Sequence, residues 1–110
     1  MNCLFCRIVS GEIPSTKVYE DEHVLAFRDI DPQAPVHVLI IPKIHADSIL
    51  DAEPEMLVHM ADAAKKIAAA EGLAEKGFRL VVNTGDEGGQ SVKHLHMHLL
   101  GGRSMQWPPG

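Results

Sequence analysis

Residues 94–100 read His-Leu-His-Met-His-Leu-Leu and are followed by two glycines. Histidine alternates strictly with an apolar residue, which is the two-residue period of a β-strand. Alternate side chains of a strand share one face about 7 Å apart. We therefore expect His94, His96 and His98 to line one surface while the apolar residues between them enter a core.

This pattern of histidines fits three kinds of structure. The first is a half-exposed strand with histidines on its outer face. The second is a metal site, because neutral imidazole is a common zinc ligand. The third is a catalytic site in which one imidazole attacks an electrophile and its neighbours stabilise the developing charge. The rest of the sequence has to distinguish between them.

The composition is that of a soluble globular protein and predicts a single domain over residues 1–110. Of the 110 residues, 45% are hydrophobic and 23% are charged. The formal net charge is −5 and lysine and arginine form no cluster, which argues against a nucleic-acid polymer as partner but permits a single nucleotide. The sequence has no basic and apolar leader and no apolar run near the roughly 20 residues that span a bilayer. We therefore expect a cytoplasmic protein that binds no membrane.

Both cysteines lie near the amino terminus as Cys3-x-x-Cys6. The surrounding apolar spacing predicts a short helix over residues 2–10, which Asn2 caps and Gly11 ends. The cysteines are interpreted in three ways: as reduced thiols in the core, as a redox pair, or as half of a zinc site whose other ligands lie elsewhere. A redox pair is disfavoured because no strand precedes the motif, as a thioredoxin-like unit would require.

The rest of the chain alternates between strand and helix patterns and predicts an α+β domain with a mainly antiparallel sheet of five strands. Apolar residues recur at helical spacing from Pro54 to about Glu71, and Gly72 is placed to terminate that one long helix. We assign the long helix no chemistry. The strands are expected at residues 16–20, 23–29, 36–41, 78–83 and 94–100.

Three further features are candidates for the same site. His37 is the only polar side chain in an apolar strand; alone it would be a core histidine, but the other histidines favour a place in their pocket. Asp29 and Asp31 either act as an acid–base pair or divide their roles between a turn and a ligand. Residues 84–91 form either a plain hairpin loop or an anion cradle, because their glycines allow backbone N–H groups to turn inward. Their position directly before the histidines favours the cradle.

Residues 94–100 resemble the His-φ-His-φ-His-φ-φ signature of the histidine-triad (HIT) nucleotide-binding proteins, where φ is an apolar residue. The resemblance covers essentially the whole chain, and the ending Trp-Pro-Pro-Gly is similar to that of the adenosine 5′-phosphoramidase (HINT-like) branch. It implies the HIT-like fold, a homodimer whose two sheets join edge to edge, and hydrolysis of a purine nucleoside 5′-monophosphate linked through nitrogen to an amine. The segments that follow the family's order are residues 3–6, 27–30, 35–42, 83, 88–91 and 101–110.

The resemblance also implies roles for individual residues. His96 is the expected nucleophile: it attacks the α-phosphorus and forms a nucleotidylated histidine, which water then hydrolyses. His37, His98 and Ser91 are expected to donate hydrogen bonds around the reacting group, and this chemistry needs no cofactor. Asp29 is implied to accept hydrogen bonds from the ribose hydroxyls. The full set implied to bind the nucleotide is Phe5, Ile8, Ile13, Phe27, Asp29, Ile30, Asn83, Gly89, Gln90, Ser91, His96, His98 and Trp107.

A structural zinc site is a further implication of the resemblance. Several bacterial relatives have the cysteine pair and bind zinc, whereas the animal phosphoramidases lack it. Two thiolates and two imidazoles, a set found in structural tetrahedral zinc sites, would come from Cys3, Cys6, His45 and His94. We therefore expect His94 to be diverted from phosphate to metal, which would tie its strand to the amino-terminal helix.

Three features bear on the branch and the reaction. Other branches carry glutamine at the position of His98 and transfer nucleotides to phosphate acceptors, so the third histidine favours a hydrolase. Gln106 replaces a histidine of the animal tail, which leaves the preferred leaving group open. In the expected homodimer the tail reaches towards the partner's site and places Trp107 beside the leaving group. The alternatives are a dinucleoside polyphosphate hydrolase, whose branch lacks the Trp-Pro-Pro-Gly ending, and a nucleotide-sensing interaction protein.

Overall fold

The computed structural model describes residues 3–110, which form an open antiparallel sheet of five strands. The strands are β1 (Lys17–Glu20), β2 (Val24–Arg28), β3 (Val36–Pro42), β4 (Phe78–Val81) and β5 (Met97–Gly101). They lie in the order β1-β2-β3-β5-β4, and every neighbouring pair is antiparallel. This arrangement confirms the predicted α+β fold with its mainly antiparallel sheet.

Three helices accompany the sheet: α1 (Leu4–Val9), α2 (Pro54–Ala70) and α3 (Gly85–Gly88). The thiol of Cys3 caps α1 by accepting a hydrogen bond from the backbone N–H of Cys6 at 3.3 Å. The predicted cap, Asn2, lies outside the described residues. α3 is a single helical turn where the glycines predict a hairpin loop or a cradle, and it ends where Gly89 adopts a left-handed φ angle of 78°. Among the helices of residues 3–110, none is long and apolar enough to cross a membrane.

Hydrophobic cores lie on both faces of the sheet because successive strand residues point to opposite sides. On one face, α2 packs its apolar stripe against the strands, as its helical spacing predicts. On the other face, α1 packs Phe5 and Ile8 against Leu25, Phe27 and Ile41. The buried residues of α2 are Met60, Ala63, Ala64, Ile67 and Ala68. α1 has six residues and leaves room beside it for the cavity described below.

β5 is shorter than the alternation of histidines predicts, because it begins at Met97. His94 lies in a bend before the strand, and the N–H of Leu95 donates to the carbonyl of Ala46 at 2.7 Å instead of joining the sheet. The apolar half of the prediction holds, since Leu95, Met97 and Leu99 are all buried on the α2 side. The other half does not hold for His94, which does not line the cavity with His96 and His98 and whose Nδ1 lies beside the thiols of Cys3 and Cys6.

β4 forms one edge of the sheet, so within residues 3–110 only β5 pairs with it. Phe78 and Leu80 on this strand are 38% and 41% exposed. Edge strands of stable proteins are usually paired, covered or charged, because their open N–H and C=O groups invite another strand. This edge is therefore a candidate for contact with a second chain.

Candidate active site and metal centre

A cavity of about 660 Å³ opens between α1, the loop after it and the sheet. This volume is in the range of sites that bind small molecules. Its wall is mainly apolar, and its polar lining residues are Ser15, Thr16, Arg28, Asp29, Ser91, His96 and His98. The apolar lining consists of Leu4, Phe5, Ile8, Ile13, Pro14, Phe27, Ile30, Leu39 and Val92. Five residues that the resemblance implies for nucleotide binding are in this apolar lining: Phe5, Ile8, Ile13, Phe27 and Ile30.

His96 lines the cavity and is 4% exposed. Its ring stands edge-on to Phe5, with the ring centres 5.1 Å apart. Its Nδ1 is 2.8 Å from the backbone carbonyl oxygen of His94. Because a carbonyl can only accept a hydrogen bond, we assign the ring proton to Nδ1. Nε2 of His96 then keeps its lone pair, which is the form of imidazole that can act as a nucleophile.

His37 and His98 form a hydrogen-bonded pair beside His96. The backbone N–H of Gln33 donates to Nδ1 of His37 at 3.0 Å, which assigns the proton of His37 to Nε2. That Nε2 is 2.9 Å from Nδ1 of His98. His98 therefore accepts on Nδ1 and carries its own proton on Nε2. The series from Gln33 through His37 to His98 leaves His98 with an N–H donor for the cavity.

Both rings of this pair are neutral at pH 7. Burial lowers the pKa of His37, against the opposing effect of Asp29, whose Oδ2 is 3.4 Å from Nε2 of His37. Burial also lowers the pKa of His98 to about 4, and the neighbouring rings of His96 and His37 add to this effect. The pair can thus donate hydrogen bonds but does not carry a positive charge into the cavity.

Asp29 and Asp31 do not form an acid–base pair. Oδ1 of Asp29 accepts the backbone N–H of Asp31 at 2.8 Å, as in an Asx turn. Asp29 lines the cavity, whereas Asp31 is exposed and does not. Asp29 thus both accepts the turn hydrogen bond and borders the cavity, so the two roles fall on one acid instead of being divided between the two.

Four of the residues implied to bind the nucleotide, Asn83, Gly89, Gln90 and Trp107, do not line the cavity. The side-chain amide of Gln90 is engaged within the protein, because its Nε2 donates to the carbonyls of Asp47 at 2.6 Å and Val92 at 3.0 Å. Gln90 thus fixes the loop before the histidines in place. Trp107 is 81% exposed and belongs to the tail after β5.

A second cluster joins residues from three distant parts of the chain. Their ligand atoms, Sγ of two cysteines and a nitrogen of each histidine, all lie within 4.8 Å of one another. Nδ1 of His94 is 3.3 Å from Sγ of Cys3 and 3.1 Å from Nδ1 of His45. A tetrahedral zinc site places its ligand atoms roughly 3.3–3.8 Å apart. The members are Cys3, Cys6, His45 and His94, the four residues predicted for a metal, and their spacing fits one.

Outer contacts hold both imidazoles of this cluster in the form that a metal requires. Nε2–H of His94 donates to the carbonyl of Pro42 at 2.9 Å, and Nε2–H of His45 donates to Oδ1 of Asp47 at 2.7 Å. Both Nδ1 atoms therefore keep their lone pairs, as is typical of metal-ligating histidines. Burial, with the hydrogen bond and charge of Cys3, raises the pKa of the Cys6 thiol to about 11. A cation would relieve this penalty on the thiolate.

The match to a family model covers most of the chain, residues 10–105, and that family is described as the HIT domain. The chain belongs to the HIT domain family. This finding confirms the resemblance read from the histidine pattern, the cysteine pair and the tail.

Two relatives and two solved structures illustrate the similarity. The 14 kDa zinc-binding protein of Zea mays is 55% identical over 97% of this chain and 87% of its own. Adenylylsulfatase HINT1 of Arabidopsis thaliana is 54% identical over 97% of this chain and 76% of its own. A HIT family hydrolase from Legionella pneumophila Philadelphia 1 superposes with a TM-score of 0.96 at 59% identity, covering 99% of this chain and 100% of that one. A Zn-bound histidine triad family protein from Mycobacterium smegmatis has a TM-score of 0.85 at 40% identity, with 94% and 76% covered.

The residues that orient the histidines are the ones that the sequence motifs do not reveal. The carbonyls of Pro42 and His94 and the N–H of Gln33 act through the backbone, and Gln33 is itself held by the guanidinium of Arg103, which donates to its carbonyl at 2.9 Å. No side-chain pattern signals such contacts. Asp47 is different, because an acid two residues after a candidate ligand is a visible sign of an outer contact.

Proposed function

We propose that this protein hydrolyses the P–N bond of purine nucleoside 5′-phosphoramidates, the conjugates of AMP with amines. The observation that carries the proposal is an unprotonated Nε2 on His96 and an N–H donor on the adjacent ring of His98, both in the lining of one cavity. A neutral imidazole attacks phosphorus near pH 7 without first losing a proton. The adjacent donor favours the negative charge of the phosphoryl oxygens in the transition state.

The reaction proceeds in two displacements. Nε2 of His96 attacks the α-phosphorus, a bond forms between them, and the P–N bond to the amine breaks with its electron pair on the leaving nitrogen. That nitrogen takes a proton from solvent and departs, hydrogen-bonded by the hydroxyl of Ser91. Water then attacks the phosphorus and loses a proton to solvent, the bond to His96 breaks with its electron pair on Nε2, and AMP leaves with the neutral ring restored. The carbonyl of His94 accepts from Nδ1–H throughout and stabilises the charge that the ring carries while nucleotidylated.

The apolar part of the cavity binds the base and ribose in this proposal. Phe5 and Phe27 meet edge to face, with ring centres 5.7 Å apart, and provide a rigid apolar wall. Asp29 accepts hydrogen bonds from the ribose hydroxyls with the carboxylate that borders the cavity. The hydroxyl of Ser91 and the N–H of His98 define the phosphate end.

We further propose a homodimer in which the β4 edge pairs with the same edge of a second copy across a two-fold axis. The exposed Phe78 and Leu80 support this arrangement. The tail is anchored near the same edge, because Arg79 of β4 donates to the carbonyl of Gln106 at 2.9 Å. Trp107 would then reach the partner's site. A measured mass of one chain, 12.0 kDa, at micromolar concentration would contradict the dimer.

The Cys/His cluster is proposed to hold a structural zinc ion. Cys3, Cys6, His45 and His94 supply four ligand atoms with suitable spacing, and the names of the zinc-binding relatives support zinc as the metal. Bound zinc supplies no chemistry to the reaction. It joins α1 to the segment that carries the nucleophile.

A second substrate class is favoured by the relative called adenylylsulfatase. Adenylyl sulfate has the same AMP moiety, and His96 would displace sulfate in place of an amine.

The deciding experiment compares kcat/KM for an AMP–amine conjugate, adenylyl sulfate and a dinucleoside polyphosphate. We expect the amine conjugate to be preferred. Preference for the dinucleotide would support the polyphosphate hydrolase, and AMP binding without any turnover would support a nucleotide-sensing interaction protein.

A further inference from the structure

His94 belongs to both clusters through different atoms. Its ring is fully buried, and Nδ1 lies among the thiols of Cys3 and Cys6 and Nδ1 of His45. Its backbone carbonyl accepts the Nδ1–H of His96. The atom that fixes the form of the nucleophile is thus part of a residue whose side chain lies in the metal cluster.

A second connection runs through α1. Phe5 lies between the two cysteines in the sequence, and its ring stands edge-on to His94 at 5.9 Å and to His96 at 5.1 Å between ring centres. Leu4, Phe5 and Ile8 of this helix also line the cavity. A helix of six residues has little stability of its own. Its position is therefore set by tertiary contacts, namely the packing of Phe5 and Ile8 in the core and whatever holds Cys3 and Cys6.

We infer that metal occupancy of the Cys/His cluster controls the active site through His94 and α1. When the four ligands hold a metal, the backbone of His94 is fixed and its carbonyl keeps the proton of His96 on Nδ1. When the metal is absent, His94 and α1 are released together. His96 then takes either tautomer, one of which has no lone pair on Nε2 for attack, and the apolar wall of the cavity loosens. This inference rests on the proposed function of the cavity and on the proposed zinc site.

The inference has a thermodynamic consequence. If metal binding tightens the nucleotide cavity, nucleotide binding must tighten the metal site by the same factor, because coupling between two binding equilibria is reciprocal. The coupling can therefore be measured from both sides without observing catalysis.

The test uses the full chain with free zinc set by a chelator buffer. The parent is compared with His45→Ala, which removes one ligand without changing α1 or His94. The matched control is His59→Ala, which removes a histidine that stacks on His23 at 3.7 Å and belongs to neither cluster. Long-range ¹H–¹⁵N spectra report the tautomer of His96, calorimetry gives the Kd for AMP and for zinc, and backbone amide spectra report the fold.

In the parent and in the control, we expect zinc withdrawal to give a mixture of His96 tautomers and to raise the Kd for AMP by at least about fivefold. His45→Ala should behave in this way at zinc concentrations that still saturate the parent, and should recover at higher zinc. AMP should lower the Kd for zinc by the same factor. The inference is overturned if the tautomer and the Kd for AMP do not respond to zinc, or if zinc withdrawal unfolds the whole sheet.

Hydrolysis measured alongside separates the two proposals. If the zinc-loaded protein hydrolyses no AMP conjugate while the tautomer follows zinc, the proposed function fails and the coupling stands. If hydrolysis is equally fast with and without zinc, the coupling fails and the proposed function stands.

Discussion

The metal cluster (Cys3, Cys6, His45 and His94) and the catalytic cluster (His37, His96 and His98) both contain histidines, yet these present opposite ring nitrogens. In the metal cluster, His45 and His94 donate Nε2–H to Asp47 and to the carbonyl of Pro42, which leaves Nδ1 as the ligand atom. In the catalytic cluster, His96 donates Nδ1–H to the carbonyl of His94, which leaves Nε2 for the cavity. The histidines of the two sites therefore differ in which ring nitrogen is held by a hydrogen-bond partner and which is left free.

This difference shows that the tautomer of each histidine follows from its backbone surroundings. His94 and His96 are two residues apart in one motif, but one lies in a bend and the other directly before β5. The bend turns the ring of His94 towards the cysteines and turns its carbonyl towards His96. The predictions below test whether the two clusters have the separate roles that this geometry indicates.

Removing the proposed nucleophile should have the largest effect on turnover. If it did not, the separate catalytic role given to His96 would be wrong. His96→Asn should reduce turnover of an AMP–amine conjugate by roughly 10⁴-fold or more, while the Kd for AMP stays within about threefold because the apolar contacts remain. Rapid quench of the parent with labelled substrate should trap the nucleotide on a peptide that contains His96. The control is His59→Asn, which should keep parent turnover. Label found reproducibly on another residue would require a different mechanism.

The His37–His98 pair should contribute less, as donors and not as nucleophiles. Single replacements by alanine should each lower kcat by about 100–1,000-fold, the range for loss of one preorganised donor. Because His37 acts through His98, the double variant should be little worse than either single variant. Fully additive losses in this double-mutant cycle would show that the two rings act independently.

Removing the metal should lower the free energy of unfolding. Variants of the catalytic cluster should keep this zinc-dependent contribution. Zinc at a hundredfold excess over its Kd adds about 2.7 kcal/mol to the free energy of unfolding. Urea unfolding with zinc and with a chelator should show this difference in the parent. Cys3→Ser should lose most of it, whereas His98→Ala should keep it. Equal free energies of unfolding with zinc and with chelator would mean that the Cys/His cluster holds no stabilising zinc ion.

Most of the fold could be predicted from the sequence, because buried apolar residues recur at different spacings in strands and in helices. Val36–Pro42 reads as a continuous apolar run and is a central strand, and the apolar stripe that starts at Pro54 is α2. The strand boundaries fall within two residues of those predicted except at the histidines. There, the period of two correctly predicts that Leu95, Met97 and Leu99 are buried. It overestimates the length of the strand, because Leu95 donates its N–H to the carbonyl of Ala46 instead of to a neighbouring strand.

Many residues of the candidate site could be predicted from the sequence, but the orientation and tautomer of its histidine rings could not. The family resemblance implied thirteen residues for the nucleotide, of which nine line the cavity, and it implied the four residues that form the Cys/His cluster. The contacts that select each tautomer come from backbone groups of Gln33, Pro42 and His94. Such groups carry no sequence signal, because every residue has a carbonyl and nearly every residue has an N–H.

Replacing Asp29 tests whether its carboxylate accepts hydrogen bonds from the ribose hydroxyls of the nucleotide. Asp29→Asn should weaken binding of nucleosides that have both ribose hydroxyls by about 10–100-fold, since hydrogen bonds to a carboxylate contribute roughly 1.5–3 kcal/mol. The matched control is the ligand: 2′,3′-dideoxy analogues should bind parent and variant almost equally. An equal loss for both kinds of ligand would mean that Asp29 acts only through the turn it forms with Asp31.

The smallest expected effect is on the pH dependence of stability and concerns His98. Burial, together with the rings of His96 and His37, lowers the pKa of His98 from 6.5 to about 4. In the unfolded chain the ring recovers its ordinary pKa, so between these two values the unfolded state binds a proton that the folded state excludes. The contribution of His98 to the free energy of unfolding is therefore complete above about pH 6.5 and is lost as the pH falls towards 4, with a slope of at most about 1.4 kcal/mol per pH unit. His98→Gln stays neutral and should show a shallower slope in urea unfolding over this range. Comparing the two proteins cancels the contributions of titratable groups that the substitution does not touch. Equal slopes would mean that His98 is protonated as easily in the folded protein as in the unfolded chain, and the catalytic cluster would then become charged as the pH falls below about 6.5.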